Sequence, residues 1–285
     1  MKIDPDYLLN RKFPSVSETY TEKDCILYAL GVGMGLNPED EQALRFVYEE
    51  DLKVMPSQPV VMAHPGFWAS ENDIGLDWVK ILHLAQELIF HKPLPPSGEV
   101  EAITRFTEII DKGERLGALL ITERVVKDAA TGEDICTIIT DVLARGDGGF
   151  GGERKKTPKS DLIPSREPDA ICDLGTSTQQ ALIYRLSGDH NPLHVMPEIA
   201  RDAGFKSPIL HGLSTMGVMT HALMKTCCDY QPERFKRLRL RFSAPVYPGE
   251  TIRTEIWEES DHIAFRCKSL EQDKVVINNG YLLID

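Results

Sequence analysis

Between Tyr184 and His194 the sequence reads Tyr-Arg-Leu-Ser-Gly-Asp-His-Asn-Pro-Leu-His, and it gathers what a proton-transfer site needs. A carboxylate, Asp189, and an imidazole, His194, stand five positions apart. Such a pair can orient one water, with one group accepting a proton from it and the other donating to a substrate. Gly188 lets the backbone leave a preceding helix, and Pro192 prevents that helix from continuing. The expectation is a kinked loop holding Asp189 and His194 near each other. The residues alone leave a second reading open, since an Asp-Xaa-Asn turn is commonly a loop device whose side chains bond nearby backbone. His190 and His194 have the spacing of a helical metal pair, but Pro192 interrupts that helix and no carboxylate sits at ligand spacing. No metal and no cofactor are expected. His211 and His221 read as hydrogen-bonded structural histidines or surface residues.

The elements that must hold this loop occur twice in the chain. Ile26 to Gly33 lies over Leu182 to Asp189, with Tyr28 matching Tyr184, Leu30 matching Leu186, and Gly33 standing where Asp189 does. Pro93 to Glu99 resembles Pro245 to Glu250, and alternating, strand-like sequence follows both turns. Each half opens with a helix, Thr21 to Val32 and Ser177 to Leu186. A second helical stretch is expected over Asp77 to Glu87, corresponding to Gly212 to Cys227. Strands close each half: Val100–Ile110, Leu116–Val126 and Ile135–Ala144, then Arg237–Phe242, Thr251–Glu258, His262–Ser269 and Val275–Ile284. Half-buried antiparallel strands fit this alternation, and a curved sheet wrapped on a helix is the architecture expected of each half.

The glycine run from Gly146 to Gly152 ends the first half, and a polar linker follows. No Lys-Ser or Lys-Thr closes that run and no helix follows it, so a hinge or close backbone packing is expected rather than a phosphate loop. The domains are therefore set at residues 1–152 and 169–285, with 153–168 between them. At 285 residues and a formal net charge of -12, the chain suits neither nucleic acid nor an anionic membrane surface as partner. No run approaches the ~20 apolar residues of a membrane span. Six cysteines lie scattered without CxxC spacing and read as reduced, intracellular thiols.

Tyr184, Leu186, Ser187, Gly188, Asp189, Asn191, Pro192, Leu193 and His194 match without a gap the signature of the MaoC-like, or hydratase 2, family of (R)-specific enoyl-CoA hydratases. Pro208 to Leu213 and Arg241 to Gly249 also follow that family. His91 to Pro95 and the Gly148–Gly152 run resemble its two-repeat eukaryotic type, found in peroxisomal multifunctional enzyme type 2. The resemblance implies an α+β double hotdog, each repeat a long helix wrapped by an antiparallel sheet. It implies an N-terminal repeat that binds the acyl chain without catalysing, and a catalytic C-terminal repeat.

By carry-over, Asp189 and His194 hold the catalytic water, and Gly212 supplies the backbone donor for the thioester oxygen. His83, Leu84, Lys112, Tyr184, His190, Asn191, Pro192, Leu193 and Phe242 fall at substrate-binding places. Leu84 stands where the family usually has glycine, which bears on acyl-chain preference. The implied partner is an acyl-CoA thioester, and the implied assembly a homodimer. The implied compartment is the peroxisome, although the C-terminal Leu283-Ile284-Asp285 is not an S-K-L signal, which leaves the cytoplasm open. Three alternatives share these residues: a dehydratase of acyl-carrier-protein thioesters, a thioesterase, and an acyl-CoA-binding module without catalysis.

Overall fold

A computed structural model describes residues 3–71, 73–151 and 163–285. Its first repeat runs α1 (Pro5–Asn10), β1 (Val16–Tyr20), α2 (Glu22–Gly31), α3 (Glu41–Leu44), β2 (Ile81–Phe90), β3 (Gly98–Asp111), β4 (Ala118–Asp128) and β5 (Asp134–Ala144). The second runs β6 (Ala170–Gly175), α4 (Gln180–Tyr184), α5 (Pro197–Asp202), α6 (Gly212–Cys227), β7 (Phe235–Phe242), β8 (Thr251–Glu258), β9 (Ile263–Ser269) and β10 (Lys274–Ile284). The ten strands form one antiparallel sheet in the order β1-β3-β4-β5-β2-β7-β10-β9-β8-β6. Read inward from either edge the connectivity is the same, so the two repeats share one topology and meet at β2 and β7. This is a double hotdog.

Local sequence accounts for most of these elements. Along β3 the alternation buries Val100, Ala102, Thr104 and Phe106 and exposes the residues between them. At the start of α2 the Asp24 carboxylate accepts the Thr21 N–H at 2.8 Å, which satisfies a donor the helix itself leaves unpaired. The α6 helix is buried continuously from Ser214 to Met224, as befits a helix enclosed by a sheet. The paired turns before β3 and β8 fall at equivalent places, and so do α2 and α4. Tyr28 and Tyr184, aligned by sequence, meet with ring centroids 5.9 Å apart.

The helix expected over Asp77 to Glu87 is absent. A 3-10 turn covers Trp78–Lys80, and β2 begins at Ile81. Its equivalent in the second repeat is β7, not α6. Leu, Ala, Gln and Glu favour a helix locally, but this segment is the central strand of the sheet, paired to β5 on one side and β7 on the other. Tertiary pairing overrides propensity there. Among the described residues the first repeat has no long helix, since its longest is the ten-residue α2.

Turns take up the space of that missing helix, and Met55, Val60, Met62 and Ala63 reach into the main core. The buried Arg124 guanidinium donates to the Val60 and Met62 carbonyls, and the Glu18 carboxylate accepts the Ala63 N–H. Ala63 is held in the left-handed region at φ 45°.

Of the expected linker, 153–162 lies outside the described residues, as does Gly152. The glycines before it are packed closely. A Cβ on Gly148 would stand 2.3 Å from the Gly113 carbonyl oxygen. The Asp111 carboxylate accepts N–H bonds from Gly113, Gly149 and Gly151. This is the close-packing alternative of the two expected.

Candidate active site

The α4 helix tightens into a 3-10 turn over Arg185–Ser187 and stops at Gly188, whose φ of 117° is the left-handed exit expected of glycine. The Asp189 carboxylate then accepts the Asn191 N–H at 3.1 Å, and the Asn191 side chain accepts the Leu193 N–H at 3.0 Å. Asn191 thereby caps the short turn Pro192–His194, with Pro192 at its first position. The turn bonds thus run through Asp189 itself and set the start of the turn that carries His194. These bonds aim Asp189 and His194 into one space.

His194 is nearly enclosed, at 8% exposure. Its Nδ1 lies 2.8 Å from the Ile209 carbonyl, an oxygen that can only accept, so Nδ1 carries the hydrogen and Nε2 presents its lone pair. Burial holds His194 below the ordinary imidazole range, against the raising influence of the Ile209 carbonyl and Asp189. One ligating atom each from Asp189, His194 and His211 lie within 4.8 Å of one another. Asp189 and His194 therefore face each other at a separation one water can span.

His211, assigned from sequence to structure or surface, stands inside this site. Its ring stacks on that of His194 with centroids 3.7 Å apart and planes 26° apart. Its Nε2 lies 3.3 Å from the backbone carbonyl of Asp189. The trio has the composition of a metal site but not the geometry. Lone pairs lie in the ring planes, so an ion between two stacked rings would sit out of both planes, away from the lone pairs. His190 is exposed at the turn and Leu193 is half-buried.

Gly212 follows His211 and opens α6. The first bond of this helix runs from Thr215 N–H to the His211 carbonyl, which leaves the N–H of Gly212 outside the helix ladder. Gly212 is exposed, and Phe242 lies 3.4 Å from where its Cβ would be. A free N–H at the positive end of a 16-residue helix is suited to a developing oxyanion.

Across the repeat boundary, His83 packs edge-on against Phe242 with ring centroids 4.9 Å apart. Its Nε2 donates to Gln86 Oε1 at 3.0 Å, and burial pushes its pKa down to about 4. Leu84 is the extra residue of a β-bulge: His83 pairs with Val142 and Ala85 with Asp141, while Leu84 has no partner on β5. Its φ is not positive, so leucine is accommodated there without left-handed strain. The family glycine thus coincides with an irregularity of the sheet.

Lys112 lies farther off. Asp111, Ala118, Ala144 and Ile81 form one row across the sheet, which puts Lys112 at the same end as His83 but three strands away, about 14 Å by strand spacing. Tyr184 is wholly buried and packs behind the site against His211.

Sequence reasoning also missed His64. It is solvent-accessible, yet its surroundings desolvate it, and it lies within electrostatic reach of Asp189 and His83, with a pKa near 4. It follows the left-handed Ala63 in the turn held by Arg124, and no local spacing signals that. A separate cavity of about 230 Å³ lies at the other ends of β2 and β7, between Phe90 and Phe235, and excludes the acid/base pair.

Residues 160–280 match the MaoC like domain, and residues 19–146 match the MFE-2 hydratase 2 N-terminal domain. The peroxisomal multifunctional enzyme type 2 of Mus musculus is 41% identical over 96% of this chain, which spans only 38% of that protein. A probable enoyl-CoA hydratase 2 of Dictyostelium discoideum is 36% identical, with 100% of this chain and 98% of that protein covered. The crystal structure of a MaoC-like dehydratase from Phytophthora capsici superposes with a TM-score of 0.85 at 36% identity, covering 98% of both chains.

Proposed function

Because the chain belongs to the MaoC-like hydratase 2 family of hydro-lyases, we propose that it hydrates trans-2-enoyl-CoA thioesters to (3R)-3-hydroxyacyl-CoA, reversibly. One observation carries the proposal. The Asp189 carboxylate and the His194 imidazole have ligating atoms within 4.8 Å of each other, and the Ile209 carbonyl holds Nδ1 so that Nε2 is left bare, beside the free N–H at the start of α6.

In the proposed reaction the Asp189 carboxylate accepts one hydrogen of that water and fixes its orientation. The water oxygen bonds to C3 of the enoyl group as His194 Nε2 takes its other proton. The C2–C3 π electrons shift toward the thioester carbonyl, whose oxygen is met by the Gly212 N–H. A donor of this kind contributes about 3 kcal/mol in the transition state. The imidazolium then returns its proton to C2 on the same face, so one water is added and His194 is restored. Asp189 stabilises the imidazolium while it lasts.

His83, Leu84 and Phe242 are proposed to flank the thioester, with Lys112 set outward toward the CoA phosphates. The first repeat would receive the acyl chain, its turns replacing a helix. Peroxisomal residence and a homodimer belong to the same proposal, and sedimentation tests the second.

The deciding experiment follows the loss of enoyl absorbance with crotonyl-CoA and trans-2-decenoyl-CoA, with chiral analysis of the product. The (3R) alcohol is expected, with kcat reduced about 10²- to 10⁴-fold in Asp189→Asn and in His194→Ala. Formation of the (3S) alcohol, release of free thiol, or unchanged turnover in both variants overturns the assignment.

A further inference from the structure

Four consecutive residues from Ile209 to Gly212 reach His194, the Asp189 loop and the start of α6. The Ile209 carbonyl fixes the His194 tautomer, and the Leu210 N–H anchors the segment to the Val246 carbonyl at 2.8 Å. Gly212 offers the oxyanion donor. Between them, His211 stacks on His194, and its Nε2 reaches the Asp189 backbone 3.3 Å away. The Tyr184 ring packs tilted against it, with centroids 4.9 Å apart. His211 is 1% exposed, and its Nδ1 has no partner.

We propose that His211 is a positioning residue for the hydration reaction, a neutral pin that ties the Asp189 loop to the start of α6 and fixes the plane of the His194 ring.

The chemistry of the ring sets its state. A carbonyl accepts at Nε2, so Nε2 must carry the hydrogen and Nδ1 must be bare. A bare buried acceptor is tolerable, whereas charging the ring would bury an N–H donor with no acceptor beside a second imidazole. Burial and the neighbouring His194 accordingly push His211 down to about 4. Two loops thus depend on one ring. The Asp189 loop hangs from Nε2–H, and His194 can rotate only by breaking a face-to-face contact. Misplacing a reacting group by about 1 Å can cost about 10²-fold in rate.

This inference rests on the hydration proposal, and its tests separate the two. His211→Phe keeps the stack and loses the bond to Asp189, while His211→Gln restores an N–H donor without the ring. For His211→Phe the expected result is a kcat for crotonyl-CoA lowered about 10²-fold, with KM unchanged and butyryl-CoA still bound. His211→Gln is expected to recover part of that loss. Wild-type kcat in both variants overturns the proposal, as does a rise in KM that accounts for the whole effect.

A measurement on the unaltered protein covers the case in which the variants do not fold. Long-range proton–nitrogen correlation of the imidazoles at pH 7 should show His211 neutral with its hydrogen on Nε2, and His194 neutral with its hydrogen on Nδ1. A charged His211, or one protonated on Nδ1, overturns the pin. If wild-type protein leaves crotonyl-CoA unchanged, the hydration proposal fails, whereas this spectrum still decides the geometry of His211.

Discussion

Replacing Gly217 with alanine tests the contact on which the placement of α6 depends. In an isolated helix the change would stabilise by about 1 kcal/mol, because glycine is a poor helix former. Here the added Cβ would stand 2.2 Å from Val32 Cγ1 and 2.7 Å from Val32 Cβ. Val32 is wholly buried and β-branched, and its Cβ cannot move without its backbone. Overpacking of this kind costs about 1–3 kcal/mol, and a clash with a Cβ belongs at the upper end. The expected net effect of Gly217→Ala is a loss of about 2 kcal/mol after the helix gain is subtracted. A Val32→Ala background removes the 2.2 Å contact but keeps the 2.7 Å contact with the Cβ, so the same change should cost less there, about 1 kcal/mol. Urea unfolding of wild type, both single variants and the double variant closes the cycle. Crotonyl-CoA turnover should follow, since α6 begins at Gly212. Equal destabilisation by Gly217→Ala in both backgrounds would refute the packing account, and so would stabilisation in the wild type.

Acid should weaken the fold in a definite window. Burial holds His83, His211 and His221 down to about 4, while an unfolded chain titrates them near the ordinary 6.5. As pH falls from 6.5 toward 4 the unfolded state takes up protons that the folded state refuses, so stability falls across that interval. The urea midpoint should decline between pH 7 and 4.5, and less steeply in His221→Asn. A flat wild-type midpoint contradicts the assignment. Arg124→Met should cost about 2–5 kcal/mol, because it leaves the buried Val60 and Met62 carbonyls without their donor. A melting temperature equal to wild type rejects that role. Leu84→Gly should raise kcat/KM for decenoyl-CoA relative to crotonyl-CoA, as side-chain volume leaves the bulge; an unchanged ratio separates Leu84 from chain-length preference.

The parts of the fold that were legible in the sequence are those whose signal is local. The alternation of β3, β4 and β5, and of β7 to β10, needs only a half-buried face to write it. The chain leaves α4 at Gly188 because the residue there must accept a left-handed backbone. What escaped depends on distance. β1 and β6 are the two edge strands, short and partly exposed, so they carry little alternation. β2 escaped for the opposite reason, being paired on both sides while composed of helix formers. The Asp189 and His194 pair was legible as chemistry, but the tautomer of His194 is set by Ile209, and the ring beside it belongs to the start of another helix. His64 follows a left-handed turn that Arg124 and Glu18 hold in the other repeat. No spacing in the sequence encodes such contacts.

The two repeats differ less in topology than in what each puts beneath the sheet. In the second, the buried helix α6 begins beside Asp189 and His194, so in the proposed reaction the element that fills the core also supplies the oxyanion donor. In the first, turns pinned by Arg124 occupy that place, and Gly33 stands where a carboxylate would be needed. These two departures are consistent with each other. A carboxylate at position 33 would have no helix amino end beside it to receive developing charge on a substrate, so a second reaction centre would lack half its parts. In the proposed reaction the continuous pairing of β2 with β7 lets the first repeat line the centre in the second, because it brings His83 against Phe242 and Phe242 against Gly212. On the proposed reading the first repeat is a wall of the same site, and substitutions in its β2 strand should alter substrate preference before they alter the fold.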